Sequence, residues 1–90
     1  MIFLFPSAGM FTGLVDLNRL FLQDNAIEWI EPYTFKGLLK LRSLYLYRNK
    51  LFYIRKNTFF GLFALGELNL GVNNISGIYT LVTGVFSFRF

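Results

Sequence analysis

Three asparagines, Asn25, Asn49 and Asn73, stand 24 residues apart, and each closes a short run whose leucines keep the same step. A side-chain amide both donates and accepts a hydrogen bond. Set where the backbone turns sharply after a strand, it satisfies peptide groups whose unpaired burial costs roughly 1–3 kcal/mol each. The other residues with recognisable chemistry are aromatic and cationic. Phe21, Arg42, Tyr45, Tyr47 and Arg48 occupy positions between the leucines. Aromatics and arginine held outward on a rigid sheet are the residue types that dominate protein–protein hot spots. Catalytic chemistry has little to work with. Histidine and cysteine are both absent, which removes histidine bases, cysteine nucleophiles, disulfides and the usual soft metal ligands. The carboxylates Asp16, Asp24, Glu28, Glu31 and Glu67 recur at no spacing that suggests an acid–base dyad. Gly37-Leu-Leu-Lys40 lacks the spacing of a phosphate loop. The reading is a non-enzyme with no cofactor and no metal.

The elements that must position these residues follow from the repeat. Leu17, Leu41 and Leu65 are 24 apart, as are Leu20, Leu44 and Leu68, and Leu22, Leu46 and Leu70. Ile27, Leu51 and Ile75 keep the step, and so do Ile30, Ile54 and Ile78. The copies divide the chain into a partial repeat 1–16, full repeats 17–40 and 41–64, and a degenerate third repeat 65–90, all within one domain. Alternation around Leu20, Leu44 and Leu68 has period two, which predicts one short strand per copy with leucines inward. Copies stacked in register make those strands parallel and about 4.8 Å apart. A fixed period in this range marks a solenoid of stacked turns. Phe11, Phe35 and Phe59, each two residues before a glycine, predict a second apolar column on the return path. No long amphipathic pattern appears there, so loops and single helical turns are expected. Phe5 to Phe11 is one residue longer than Ile30 to Phe35, which makes the first copy irregular.

Ninety residues allow one small domain. Hydrophobic residues at 54% and aromatics at 20% exclude a disordered tail. The net charge of +4 is concentrated in Arg42, Arg48, Lys50, Arg55 and Lys56 of the second full copy, a solvated basic turn. Two uncharged stretches imitate membrane elements. Met1 to Val15 contains Pro6, Ser7 and Gly9, and its Phe11-Thr-Gly-Leu14 matches later copies, so it reads as repeat rather than signal peptide. The stretch after Asn74 is shorter than the roughly 20 apolar residues a span requires.

The pattern LxxLxLxxNxIxxIxxxxFxGL resembles the leucine-rich repeat in its 24-residue form, common in animal extracellular proteins. The string Leu44-Tyr-Leu-Tyr-Arg-Asn49 is similar to repeats of peroxidasin-type, relaxin-receptor-type and Slit-type proteins. The resemblance implies an α/β leucine-rich repeat solenoid, a short horseshoe segment with its parallel sheet on the concave face and loops or short helical turns on the convex face. It implies a non-catalytic module that presents the strand face to a protein ligand, in an extracellular or cell-surface ectodomain setting. An alternative is a repeat segment of a larger peroxidasin-type enzyme whose catalytic domain lies elsewhere. Cysteine-rich caps, usual in extracellular members, are missing, and the third copy decays after Ile78, with Thr83 where phenylalanine is expected. A piece of a longer repeat array is therefore expected, one that taken alone is marginal, insoluble or self-associating through its uncapped ends.

On the strand face the outward columns read Phe21, Tyr45, Asn69 and Gln23, Tyr47, Gly71, with Arg42 and Arg48 alongside. Asp24 beside Arg48 predicts a surface ion pair, worth about 0–1 kcal/mol. Asn74-Ile-Ser76 is an acceptor sequence for a glycan should the chain be secreted. Nucleic acid is disfavoured as a partner. The leucine register explains half of the mixed basic and aromatic positions, and Glu28 and Glu31 share the turn region of Arg55.

Overall fold

The computed structural model of the chain describes residues 6–78 and 87–89. Four three-residue strands, β1 (Arg19–Phe21), β2 (Ser43–Tyr45), β4 (Glu67–Asn69) and β6 (Ser87–Arg89), form one parallel sheet in the order β1-β2-β4-β6. Leu20 lies opposite Leu44, and Leu44 opposite Leu68, so the 24-residue sequence step is also the register of the sheet. Pairing runs past the strand ends. The amide of Arg42 donates to Asn18 O at 2.8 Å, Leu46 N to Asn69 O at 2.9 Å, and Arg48 N to Gly71 O at 2.9 Å.

Two features depart from the sequence expectation. β6 is a fourth rung, with Phe88 opposite Leu68 and Ser87 opposite Glu67, a step of 20 rather than 24. The decayed positions from Thr83 to Phe86 lie outside the described residues. The return path was expected to hold only loops and helical turns. It contains β3 (Tyr53–Ile54) and β5 (Gly77–Ile78), a separate parallel pair with Ile54 opposite Ile78. Ile54, buried in the core, thus belongs to a second short ladder.

The rest of each return path is a chain of tight turns. Phe35 O accepts from Leu38 N and Leu38 O from Leu41 N. The same i→i+3 bonds recur 24 residues earlier, at Phe11 and Leu14, and 24 later, at Phe59 and Leu62. Gly13, Gly37 and Gly61, at φ 94°, 99° and 94°, supply the left-handed residue those turns need. Pro6 is buried at the place of Ile30, and its carbonyl accepts from Glu31 N at 3.0 Å and from Thr34 Oγ1 at 3.1 Å. The 24-residue step therefore reaches back to Pro6.

Side chains from both ladders meet in one core of Leu22, Ile27, Ile30, Phe35, Leu38, Leu41, Leu44, Leu46, Leu51, Ile54, Phe59, Leu62, Leu65, Leu68 and Leu70. Phe35 stacks on Phe11 at 5.8 Å and on Phe59 at 6.0 Å between ring centroids, the second apolar column read from the sequence. Leu17 and Leu20 of the first full copy are only partly buried against this core.

Candidate functional site

The asparagine column fixes where the outward face begins. Asn49 Oδ1 accepts from the amides of Asn25 (3.1 Å) and Ile27 (3.2 Å) in the preceding turn. Its Nδ2 donates to Leu46 O (2.9 Å) in its own turn and to Leu22 O (3.0 Å) in the preceding one. Asn73 repeats the arrangement one turn on, with Leu51 N, Leu46 O and Leu70 O as partners. Asn25 Nδ2 binds Leu22 O and Gln23 O within its own turn. Asn49 and Asn73 thus tie the chain end of one strand to the turn beside it, which holds the residues between strand and asparagine in place.

Those residues form the candidate site. Phe21, at the end of β1, is exposed and stacks on Tyr45 of β2 at 4.9 Å with 11° between ring planes. Tyr47 meets Tyr45 edge-on at 6.5 Å. The Arg48 guanidinium lies 5.1 Å from the Tyr47 ring centroid, and its Nε sits 2.7 Å from Asp24 Oδ1, the ion pair expected from the ladder. The Tyr45 hydroxyl donates to Glu67 Oε1 at 3.0 Å. Phe21, Tyr45, Tyr47 and Arg48 are therefore one contiguous surface across two rungs, braced by a carboxylate from the third. Arg42 sits at the other end of β2, exposed, with its backbone carbonyl accepting from Gly66 N and Glu67 N.

Several details escaped the sequence. Glu67 braces Tyr45 although it lies 22 residues away, off the 24-residue step. Lys40 Nζ pairs with Asp16 Oδ1 at 3.0 Å, an exposed bridge that does follow the step. Arg55 covers the Trp29 ring at 5.0 Å and pairs with neither Glu28 nor Glu31. On the return side, Tyr33, Phe60 and Phe63 meet edge-to-face at 5.3 and 6.1 Å. An open hollow beside Tyr33 is lined by Ala8, Gly9, Thr12, Lys36 and Gly37. Its side chains with polar atoms are Thr12, Tyr33 and Lys36.

Asn74 is exposed beside the ladder. Its amide nitrogen donates to Leu51 O, and the Ser76 hydroxyl donates to Phe52 O at 3.1 Å. Among the described residues no three of His, Cys, Asp and Glu come together as a metal site, and no helix is long and apolar enough to cross a membrane.

Comparison with known proteins gives one match. The model of the family described as leucine rich repeat covers residues 7–51, half of the 90-residue chain. No curated protein and no solved structure matches.

Proposed function

The chain belongs to the leucine-rich repeat family, and from that premise we propose a non-catalytic module that docks a protein ligand on its outward strand face. Repeats of this family generally mediate protein–protein interaction. The observation that carries the reading here is the joined surface of Phe21, Tyr45, Tyr47 and Arg48 on two adjacent rungs, with Arg42 at its edge. Large, pre-oriented aromatic area loses little side-chain entropy on binding, which is what a hot spot requires. The stacking that holds the rings to one another is compatible with this role, because it fixes them before a partner arrives.

In this reading the turns belong to a short horseshoe-shaped solenoid, organised as partial repeat 1–16, full repeats 17–40 and 41–64, and a third repeat from 65. The chain is a segment of an extracellular or receptor repeat array, in keeping with the 24-residue repeat form. Asn74, exposed and to one side of the strand face, is then the acceptor for a glycan.

The test uses two exposed phenylalanines on different faces. p-Benzoylphenylalanine replaces Phe21 in one variant and Phe63 in another, and cells secreting each are irradiated. A discrete protein adduct from position 21 and none from position 63 is expected. Adducts from position 63 alone would move the docking face to the return side.

A further inference from the structure

The strand face is not electrostatically balanced, and the imbalance has a direction. All five side-chain carboxylates lie within the described residues. Asp24 is held by Arg48 at 2.7 Å, Asp16 by Lys40 at 3.0 Å, and Glu67 by the Tyr45 hydroxyl at 3.0 Å. Glu31 Oε1 accepts from Ala8 N on the return path, and Glu28 precedes Trp29 on the same path. Neither Arg19 nor Arg42 has a carboxylate within ion-pair distance, and both are exposed.

These two arginines are neighbours in the sheet. Arg19 is the register partner of Ser43, the residue after Arg42, and Arg42 N donates to Asn18 O beside Arg19. They stand at one end of the stacked Phe21–Tyr45 pair. At its other end the cation Arg48 is already neutralised by Asp24. The face therefore offers a cationic end without an ion-pair partner and an apolar aromatic centre, with Glu67, still charged, two rungs on in the register column of Arg19.

We infer that the segment docked on this face is an acidic peptide stretch with a carboxylate side chain and an apolar side chain two residues apart in extended conformation. This rests on the docking reading above and names its ligand chemistry. The spacing comes from the strand itself. Arg19 and Phe21 are two residues apart on β1, so their side chains leave the same side of the sheet about 6.6 Å from each other. An extended peptide alternates with the same period, so residues i and i+2 meet guanidinium and ring together. Guanidinium pairs favour carboxylates because two parallel N–H groups match two oxygens.

The full 90-residue chain is titrated with synthetic extended peptides of about ten residues, matched in length, by fluorescence anisotropy. One carries Glu-Ser-Phe at its centre, one Glu-Ser-Ser, one Ser-Ser-Phe and one Lys-Ser-Phe; a single-stranded oligonucleotide is the fifth probe. The Glu-Ser-Phe peptide is expected to bind tightest and to weaken as salt rises. Arg19→Glu and Arg42→Glu are each expected to weaken it about fivefold or more, whereas Lys56→Glu on the return path leaves it within about twofold. Circular dichroism confirms that each variant keeps its strands. Equal binding of Ser-Ser-Phe and Glu-Ser-Phe, lost in Phe21→Ala but unmoved in the arginine variants, would overturn the acidic chemistry and leave the docking face standing. Tighter binding of the oligonucleotide would overturn it in favour of a polyanion. Binding of no peptide, or binding indifferent to both Phe21→Ala and the arginine variants, would overturn the inference, and the position-21 crosslink then separately decides the docking reading.

Discussion

The chain carries two aromatic columns built on the same repeat step, and they have opposite destinations. Phe11, Phe35 and Phe59 stack at 5.8 and 6.0 Å on the return side, and Phe35 and Phe59 are 0% and 1% exposed. Phe21 and Tyr45 stack more closely, at 4.9 Å on the strand face, yet Phe21 is 59% exposed. Stacking geometry alone therefore does not distinguish structural aromatics from available ones. Burial does, and so does residue type along the column. The inner column is phenylalanine at each of its three places, because only a ring of that volume fills the gap left by the preceding turn. The outer column drifts from Phe21 to Tyr45 to Asn69, since water or a partner, rather than a fixed cavity, meets each side chain.

The comparison is broken most directly by truncating one ring from each column. Phe35→Ala removes a side chain packed above and below by other rings, and is expected to cost about 3–5 kcal/mol, a large part of the stability of a domain this small. Phe21→Ala loses one stacked contact at a wet surface and is expected to cost about 1 kcal/mol or less. Guanidinium unfolding followed by circular dichroism measures both. Similar losses would mean that the outer stack is a structural element and would remove the case for its availability.

The asparagines sharpen the same contrast with polar groups. Asn49 is buried and joins two turns through both ends of its amide, whereas the side-chain Oδ1 of Asn69, on the outer face, accepts from Gly71 N at 3.0 Å within its own turn. Asn49→Ala takes the acceptor from the amides of Asn25 and Ile27, while Leu22 O and Leu46 O keep Asn25 Nδ2 and Asn73 Nδ2 as donors, for an expected loss of about 2–3 kcal/mol. Asn69→Ala is expected to cost under about 1 kcal/mol. Equal shifts in unfolding midpoint would show that the ladder is satisfied by water instead.

The inner columns were readable in the sequence because each place in the core accepts one residue type, so the demand repeats as a letter. The leucines, Phe35 with Phe59, and the Asn49 and Asn73 amides all stand where the repeat put them. The Asp24–Arg48 pair was readable for the related reason that adjacent rungs bring residues 24 apart together. What stayed hidden follows from demands that no letter expresses. β3 and β5 are two residues each, too short to show an alternation. β6 sets Phe88 rather than a leucine opposite Leu68, at a step of 20. The Tyr33–Phe60–Phe63 cluster joins places that belong to different columns, so no period connects them. The unpaired state of Arg19 and Arg42 is a fact about where five carboxylates end up, which is a property of the whole fold.

A further hidden feature gives the finest test of the contrast. Asp24, Arg48 and Val72 all have left-handed backbones, at φ 59°, 53° and 53°, one after each of β1, β2 and β4. The conformation is imposed by the turn into the asparagine, so the backbone repeats although the side chain does not. Aspartate tolerates this region, but a β-branched residue crowds its own carbonyl there. Val72 is 75% exposed, so no burial offsets that crowding. Val72→Gly is therefore expected to raise stability by about 0.5–1 kcal/mol, the relief of strain exceeding the entropy glycine adds to the unfolded chain. Asp24→Gly, at the same backbone conformation, relieves little strain and loses the bond to Arg48, so it is expected to be neutral or slightly destabilising. If Val72→Gly instead destabilised, the valine would be held by contact with a neighbouring surface, and the outer face would have to be counted as partly interior at the third rung. A gain confined to Val72 would show that the outer face, unlike the core, is free to hold a residue that its own backbone disfavours.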